Sequence, residues 1–520
     1  MIRPFTVNRR TVLAGTAALA GLALPYGRSL AAVPRRGGTL RVSVDQAVAK
    51  LNPLIVRVNP EYLVAELLYS GLTRLDPEMA AEPDLAESWT SNDELTEWTF
   101  TLRDGLVFHD GSPCTAKDVV ATFEAILDPD TASPGLKNVG PIDTVTAKDD
   151  RTVVFSLKAP YADLPVTLAY TNAKIVPAAI IESGLDRLAG EAVGTGPFKL
   201  ETFEPERIVA VTRNDAYYDK ERPYLDRVEV LVYPDQTAEG SALIAGDTDL
   251  MTSVQPTEFS RLERTSGVQG LRVPSGQFCN VNMACNQKPF DDQRVRQALA
   301  LTVDREAMVN FVTEGFGTPG NDTPISPAYR FYLDQPAKMP DIDKAKSLLA
   351  DAGYPDGIET TLIASDKPSV RTQLAVALRE MAKPAGFTIE VQTMPHSTYL
   401  DQVWKKGAFY VGFYNMQPTA DAIFSLLYTS DAPWNETHWN NETFDKAVME
   451  ARRTLDEGAR RELYAEAQRL MADKVPSIIP AFFDLLGAKR DYVDGYVLHP
   501  RGAVFRLDYV SLGDGAPTRG

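Results

Sequence analysis

The sequence predicts an α/β protein of several lobes, on three observations. Segments with the two-residue alternation of strands and segments with the 3.6-residue spacing of helices interleave along the whole chain. At roughly 150 residues per domain, 520 residues allow about three lobes. A composition of 44% hydrophobic and 24% charged residues buries several cores without help from metal or disulfides.

The elements follow in chain order. Residues 1–31 are expected to be an export signal. Arg3, Arg9 and Arg10 precede an Ala- and Gly-rich apolar run, Val12 to Leu24, of signal-peptide length. That run is too short for a transmembrane helix, which needs about 20 apolar residues. Ser29-Leu30-Ala31 offers small residues for cleavage near Ala31, with Leu30-Ala31-Ala32 as the neighbouring choice. Arg9-Arg10 followed by Thr11-Val12-Leu13 resembles a twin-arginine signal, and a general secretory signal with two adjacent arginines is the alternative.

Beyond it, Gly38 to Val44 alternates as a first strand, and Tyr62 to Tyr69 has helical spacing that stops at Gly71. Trp98 to Leu102 alternates and is broken by Asp104-Gly105. His109 to Pro113 is dense turn chemistry, after which Thr115-Ala116-Lys117-Asp118 opens a helix with a capping box. Strands recur at 152–157, 207–212 and 227–233. Phe290-Asp291-Asp292 caps an amphipathic helix through Val295, Ala298 and Leu299. Helices are expected at 343–352, ended by Gly353, and at 371–382, followed by a strand at 387–391. Residues 441–472 are strongly helical, with one expected break at Gly458. No repeat, low-complexity segment or flexible linker is visible.

Charge and motifs exclude several functions. With 53 basic against 70 acidic residues the net charge is −17, and loss of Arg3, Arg9, Arg10 and Arg28 with the signal makes it −21. Nucleic acid is therefore not an expected partner. Cys114, Cys279 and Cys285 are an odd count, and six residues of strand put Cys279 and Cys285 about 20 Å apart, so they are expected to be free, buried thiols. No cysteine is placed for lipid attachment. There is no phosphate-binding loop and no nucleophile elbow, and Gly194-Thr195-Gly196-Pro197-Phe198 is expected to be a tight structural turn. His109, His396, His438 and His499 lack metal-ligand spacing and are expected in turns or at the surface. No cofactor and no catalytic residue is expected, although a secreted hydrolase of unknown type is carried as the reading from another class.

Two blocks are diagnostic. Glu82-Pro83-Asp84-Leu85-Ala86-Glu87-Ser88-Trp89 is followed by Trp98 to Gly111 (WTFTLRDGLVFHDG). Val193 to Phe198, Arg213 to Tyr218, Arg294 to Leu299, Val303-Asp304-Arg305 and Ala345 to Tyr354 come in the matching order. Over essentially all of the mature chain this resembles the family 5 extracellular solute-binding proteins of ABC importers, the dipeptide, oligopeptide and nickel group. The resemblance implies a two-lobed periplasmic binding protein fold of type II, peptide-binding-like, with an extra subdomain in the N-terminal lobe. Lobe I would take residues 33–65, 192–272 and 484–520, its inserted subdomain 66–191, and lobe II 273–483. It also implies a monomer in the periplasm that delivers a peptide-like or other small polar solute to an ABC permease in the inner membrane. A receptor for a nickel-type metal chelate is the alternative.

Peptide-binding members hold a dipeptide by an aspartate in a W-x-x-D-x-x-D-P-type segment and by an arginine upstream in lobe II. Here the first segment reads Phe413-Tyr414-Asn415-Met416-Gln417-Pro418-Thr419-Ala420-Asp421, with the aspartate position near Tyr414-Asn415. The arginine position falls near Ser365-Asp366. Both anchors are changed. Tyr414, Asn415 and Met416 are the pocket candidates, with Asp421 or Asp366 available for an amine and Arg371 for a carboxylate. Trp434 and Trp439 offer stacking surfaces, and Phe278 and Asn280 are expected to border the cleft. Phe424 and Tyr428, four residues apart, fit a helix core better than a pocket.

Overall fold

A computed structural model describes residues 34–519, and the export-signal expectation lies outside them. A mixed sheet of twelve strands runs through the protein. Ten strands form its path, Phe387–Met394, Ile358–Ser365, Phe409–Tyr414, Val268–Met283, Ala481–Arg490, Leu250–Met251, Thr39–Val44, Arg227–Val232, Ile208–Arg213 and Phe198–Glu204, and two short ones lie off it, Gly317–Pro319 on Ala481–Arg490 and Ser477–Ile478 on Val268–Met283. Val268–Met283 and Ala481–Arg490 are the long strands at its middle. They pair antiparallel from Val268 with Arg490 to Phe278 with Phe482, with a register shift between Pro274 and Gln277. Such a bulge bends the strand and sharpens its twist where the two halves of the sheet meet.

Alternation along these strands sorts side chains between cores. Leu40, Val42, Val209, Val211, Val228 and Val230 belong to one apolar cluster, which also takes the faces of a four-stranded antiparallel sheet. That sheet runs Ala86–Ser91, Glu97–Leu102, Thr152–Leu157, Ile142–Ala147. Cys279, Val281 and Met283 face a second cluster with Val411, Leu362 and Leu378. A third cluster is shared: Leu75, Met79 and Ala169 pack with Phe278, Tyr414, Phe424 and Tyr428. Phe424 and Tyr428 are thus core residues, as their spacing suggests.

Local chemistry places the helix starts. Thr115 and Asp118 form the full capping box of helix Ala116–Leu127, and the Asp292 side chain accepts from Arg294 N at the start of Gln293–Ala300. The expected break at Gly458 is displaced. The helices are Glu442–Arg452 and Glu457–Lys474, and Gly458 lies inside the second. Asp456 accepts from Ala459 N, so a cap four residues beyond Arg452 restarts the helix and the glycine is carried in its first turn. Gly194 and Gly196 are structural, but the segment has a bend at Gly196-Pro197 rather than the expected tight turn. A Cβ on Gly194 would lie 1.9 Å from the Leu68 carbonyl oxygen, and one on Gly196 2.4 Å from Leu68 C. Close backbone packing, not phosphate binding, requires both glycines.

His109 sits in a turn as expected, whereas buried His499 departs from the expectation. His499 is buried with Nε2 2.8 Å from the Asp76 carbonyl, and the largely buried His109 lies 3.1 Å from that of Gly196. Burial lowers both imidazoles to about 4, so they remain neutral at ordinary pH.

All three cysteines are free, and burial pushes the Cys279 thiol up to about 12 and that of Cys285 to about 11. Intact mass after alkylation should be the same with and without prior reduction. A mapped crosslink between Cys279 and Cys285 would refute this.

Candidate functional site

Strands Ile358–Ser365, Phe387–Met394 and Phe409–Tyr414 run parallel to one another, so their C-terminal ends lie together. In open α/β sheets ligands bind outside such ends. Asp366 follows the first strand and Asn415 the third, both exposed. Asn415 Oδ1 accepts from Gln277 Nε2 at 2.6 Å, which ties the strand end to the central crossing strand. Ser365 Oγ lies 2.9 Å from His396 Nδ1 at the same edge.

Arg371 lies in the first turn of helix Val370–Ala382 and is only 7% exposed. Its guanidinium sits 5.2 Å from the Tyr399 ring and 5.9 Å from that of Phe413. Nε and Nη1 have no hydrogen-bond partner, and no carboxylate within ion-pair distance answers this charge among the described residues. A buried cation held only by aromatic faces is costly unless an anion joins it.

On the other face of the same strands lies a polar core. Glu436 is 2% exposed; it accepts from Asn282 Nδ2 at 2.7 Å and more weakly from Asn280 at 3.5 Å. Tyr410, Tyr414 and Tyr428 stand around it, and Tyr428 Oη and Ser477 Oγ are 2.9 Å apart. Gly412 admits the cluster, since a Cβ there would lie 2.3 Å from Asn280 Oδ1 and 3.2 Å from Glu436 Oε2. Desolvation raises the Glu436 carboxyl to about 7, against the smaller opposing pull of hydrogen bonds from Tyr414, Asn280 and Asn282 and of the Arg371 charge. Glu436 had no place in the sequence reading. A carboxylate in the polar run Asn435-Glu436-Thr437 carries no periodic signal of burial.

The other sequence candidates divide by environment. Tyr414 is buried; its hydroxyl accepts from Trp404 Nε1 at 3.3 Å and its ring packs on Trp434. Met416 is buried beside Gly276 and Tyr329. Asp421 pairs with Arg452 at 3.0 Å, which occupies it internally. Phe278 and Asn280 are buried, and Trp439 packs against Phe444 with centroids 5.0 Å apart. Asp366 and Asn415 are therefore the candidates at the strand ends, with Arg371 buried in the helix that follows the first strand.

A separate cavity of about 240 Å³ opens between residues 79–166 and 329–460. Among the described residues no three His, Cys, Asp or Glu side chains are grouped to hold a metal, and no helix is long and apolar enough to cross a membrane.

Two α/β lobes on one sheet, crossed by two long strands, are the architecture of the periplasmic binding-protein class. The chain belongs to the bacterial extracellular solute-binding proteins, family 5, whose model matches residues 80–436. It is 28% identical over 495 residues to the glutathione-binding protein GsiB of Salmonella typhi, covering 92% of this chain and 96% of that one. The crystal structure of the ABC transporter substrate-binding protein CtaP of Listeria monocytogenes superposes with TM-score 0.81 at 25% identity, covering 92% of this chain and all of that one. AgaA of A. tumefaciens R10, solved with agropinic acid, gives TM-score 0.73 at 26% identity over 91% of this chain and 99% of that one. The role implied by the diagnostic blocks, the solute-binding component of an ABC importer, therefore stands.

Proposed function

We propose that this receptor captures a small solute bearing a carboxylate, peptide-like or of comparable polarity, at the strand-end face of its second lobe. The carrying observation is Arg371, whose Nε and Nη1 have no partner. A carboxylate there converts an uncompensated buried charge into a charge-assisted pair. Asp366 and Asn415 supply polar contacts at the same edge. GsiB, named for glutathione, and AgaA, solved with agropinic acid, add weight to this ligand class.

In this reading lobe I comprises 33–65, 192–272 and 484–520 with its subdomain at 66–191, and lobe II comprises 273–483. The two long central strands form the hinge, and a solute touching both lobes closes the receptor by its differential affinity for the closed form. The receptor acts as a monomer, without enzymatic activity, and hands its solute to an inner-membrane permease.

A thermal-shift screen tests the ligand class. At a concentration about 100-fold above Kd a true ligand adds about 2.7 kcal/mol of stability. Glutathione and larger or modified carboxylates should shift the melting temperature more than plain dipeptides do, because no aspartate stands at the amine-anchor position. Strong shifts from ordinary dipeptides would reverse that order and relocate the anchor.

Export is proposed to be twin-arginine-dependent, with cleavage near Ala31 and release to the periplasm. Replacing Arg9 and Arg10 together with Lys should leave uncleaved precursor in the cytoplasm. Normal maturation of that variant would instead indicate the general secretory route.

A further inference from the structure

We infer that the cavity between residues 79–166 and 329–460 is a second binding site, selective for an uncharged molecule of about one ring. Its walls come from both segments and include four aromatic rings: Trp89 and Trp98 on one side, Tyr329 and Phe331 on the other. None of the residues gathered around Arg371 lines it. The volume of about 240 Å³ exceeds the roughly 150 Å³ that suffices for benzene in an apolar cavity, leaving room for one ring and a small head group.

Charge selectivity follows from how the cavity's ions are already spent. Asp163 and Arg460, both in the wall, bind each other at 2.5 Å with side chains 5% and 10% exposed. Arg330, also in the wall, is held by Glu457 at 2.7 Å. A charged guest would give up part of its hydration without gaining a free counter-ion. A neutral guest meets no such penalty. Asp163 Oδ2 and Arg460 Nε lack hydrogen-bond partners, but both atoms are fully buried and present nothing to a guest.

The entrance is visible as well. Leu455 lines the cavity yet is 56% exposed, and Arg330 beside it is exposed too. The backbone already spans the same junction, with Ala162 N donating to the Arg452 carbonyl at 2.8 Å. An occupant touching both segments therefore favours their juxtaposition as seen here. Binding in the cavity should accordingly couple to solute binding elsewhere.

Benzamide, benzoate and benzylammonium are one-ring probes that differ in charge. Titrated into the mature protein, benzamide should bind saturably at a single site and change tryptophan fluorescence through Trp89 and Trp98. It should bind at least about tenfold more tightly than either ion, a gap of about 1.4 kcal/mol. Val166→Phe, which fills the cavity from its wall, should weaken benzamide about tenfold or more while the melting temperature stays near that of the parent. If that variant does not fold, Leu455→Trp at the exposed mouth makes the same test. Equal affinities for the three probes, or undiminished benzamide binding in a folded filling variant, would overturn the assignment. Neither result depends on the Arg371 site, whose own test is loss of carboxylate binding.

Discussion

Glu436→Gln should remove a loss of folding stability of about 3 kcal/mol that the parent protein suffers between about pH 4.5 and pH 7. In the unfolded chain this carboxyl ionises near 4.5, whereas desolvation in the fold holds its proton until about 7. Between those values the folded state binds the extra proton. The stabilisation is therefore complete below about pH 4.5 and is lost as pH rises through 7. A shift of about 2.5 units at 1.36 kcal/mol per unit sets the size. The groups facing Glu436 do not offset it: Tyr399, Tyr410, Tyr414 and Tyr428 are neutral, Asn280 and Asn282 are uncharged, and the Arg371 charge is the weakest of the named influences.

Glutamine keeps the acceptor for Asn282 and brings N–H donors into a cluster where Asn280 Oδ1 has no partner. Urea unfolding of parent and variant at pH 5 and pH 8 measures the difference. Glu239, which burial raises to about 8, adds a slope of the same sign to both proteins. The difference between the two proteins is thus the quantity to read. Parallel slopes would mean that Glu436 is ionised in the fold and paired by a route other than the one described.

Legibility in the sequence followed the range of the interactions involved. Caps were readable because Thr115 with Asp118, and Asp292 with Arg294 N, act within three residues. Strand alternation likewise put Cys279, Val281 and Met283 on one face and Phe278, Asn280 and Asn282 on the other. Gly458 misled because glycine disfavours helix only by about 1 kcal/mol, less than a cap and a packed helix face return. The Asp456 cap outweighed it. The site was less legible because long-range contacts create it. Glu436 is buried by Asn282, 154 residues earlier, and Asp163 meets Arg460 across 297 residues. Tyr414 and Met416 stood out as pocket candidates because their segment resembles a ligand-anchoring one, and packing from Phe278, Tyr329 and Trp434 turned both inward. Arg371 was visible as a possible carboxylate partner, but its unpaired state is a fact of three-dimensional packing alone.

That state makes Arg371 the most consequential substitution for binding. Arg371→Ala should weaken a carboxylate-bearing solute by on the order of 100-fold or more, since losing one partner of a desolvated charge pair costs about 2–5 kcal/mol. Empty-receptor stability should change in the opposite sense to binding, or little, because the variant removes a buried cation that lacks an anion. Arg371→Lys separates charge from geometry. Lysine keeps the positive charge but cannot present the planar fork to a carboxylate, so it should recover only part of the affinity. Calorimetric titration with glutathione, and with any solute that native mass spectrometry finds bound to the purified protein, gives all three affinities on one scale. A solute amide that lacks the carboxylate should bind the parent as weakly as the acid binds Arg371→Ala, because both remove the same pair. Retention of full affinity by Arg371→Ala for a carboxylate solute would move the anchor away from this strand-end face, and Asp366 and Asn415 would lose their claim with it.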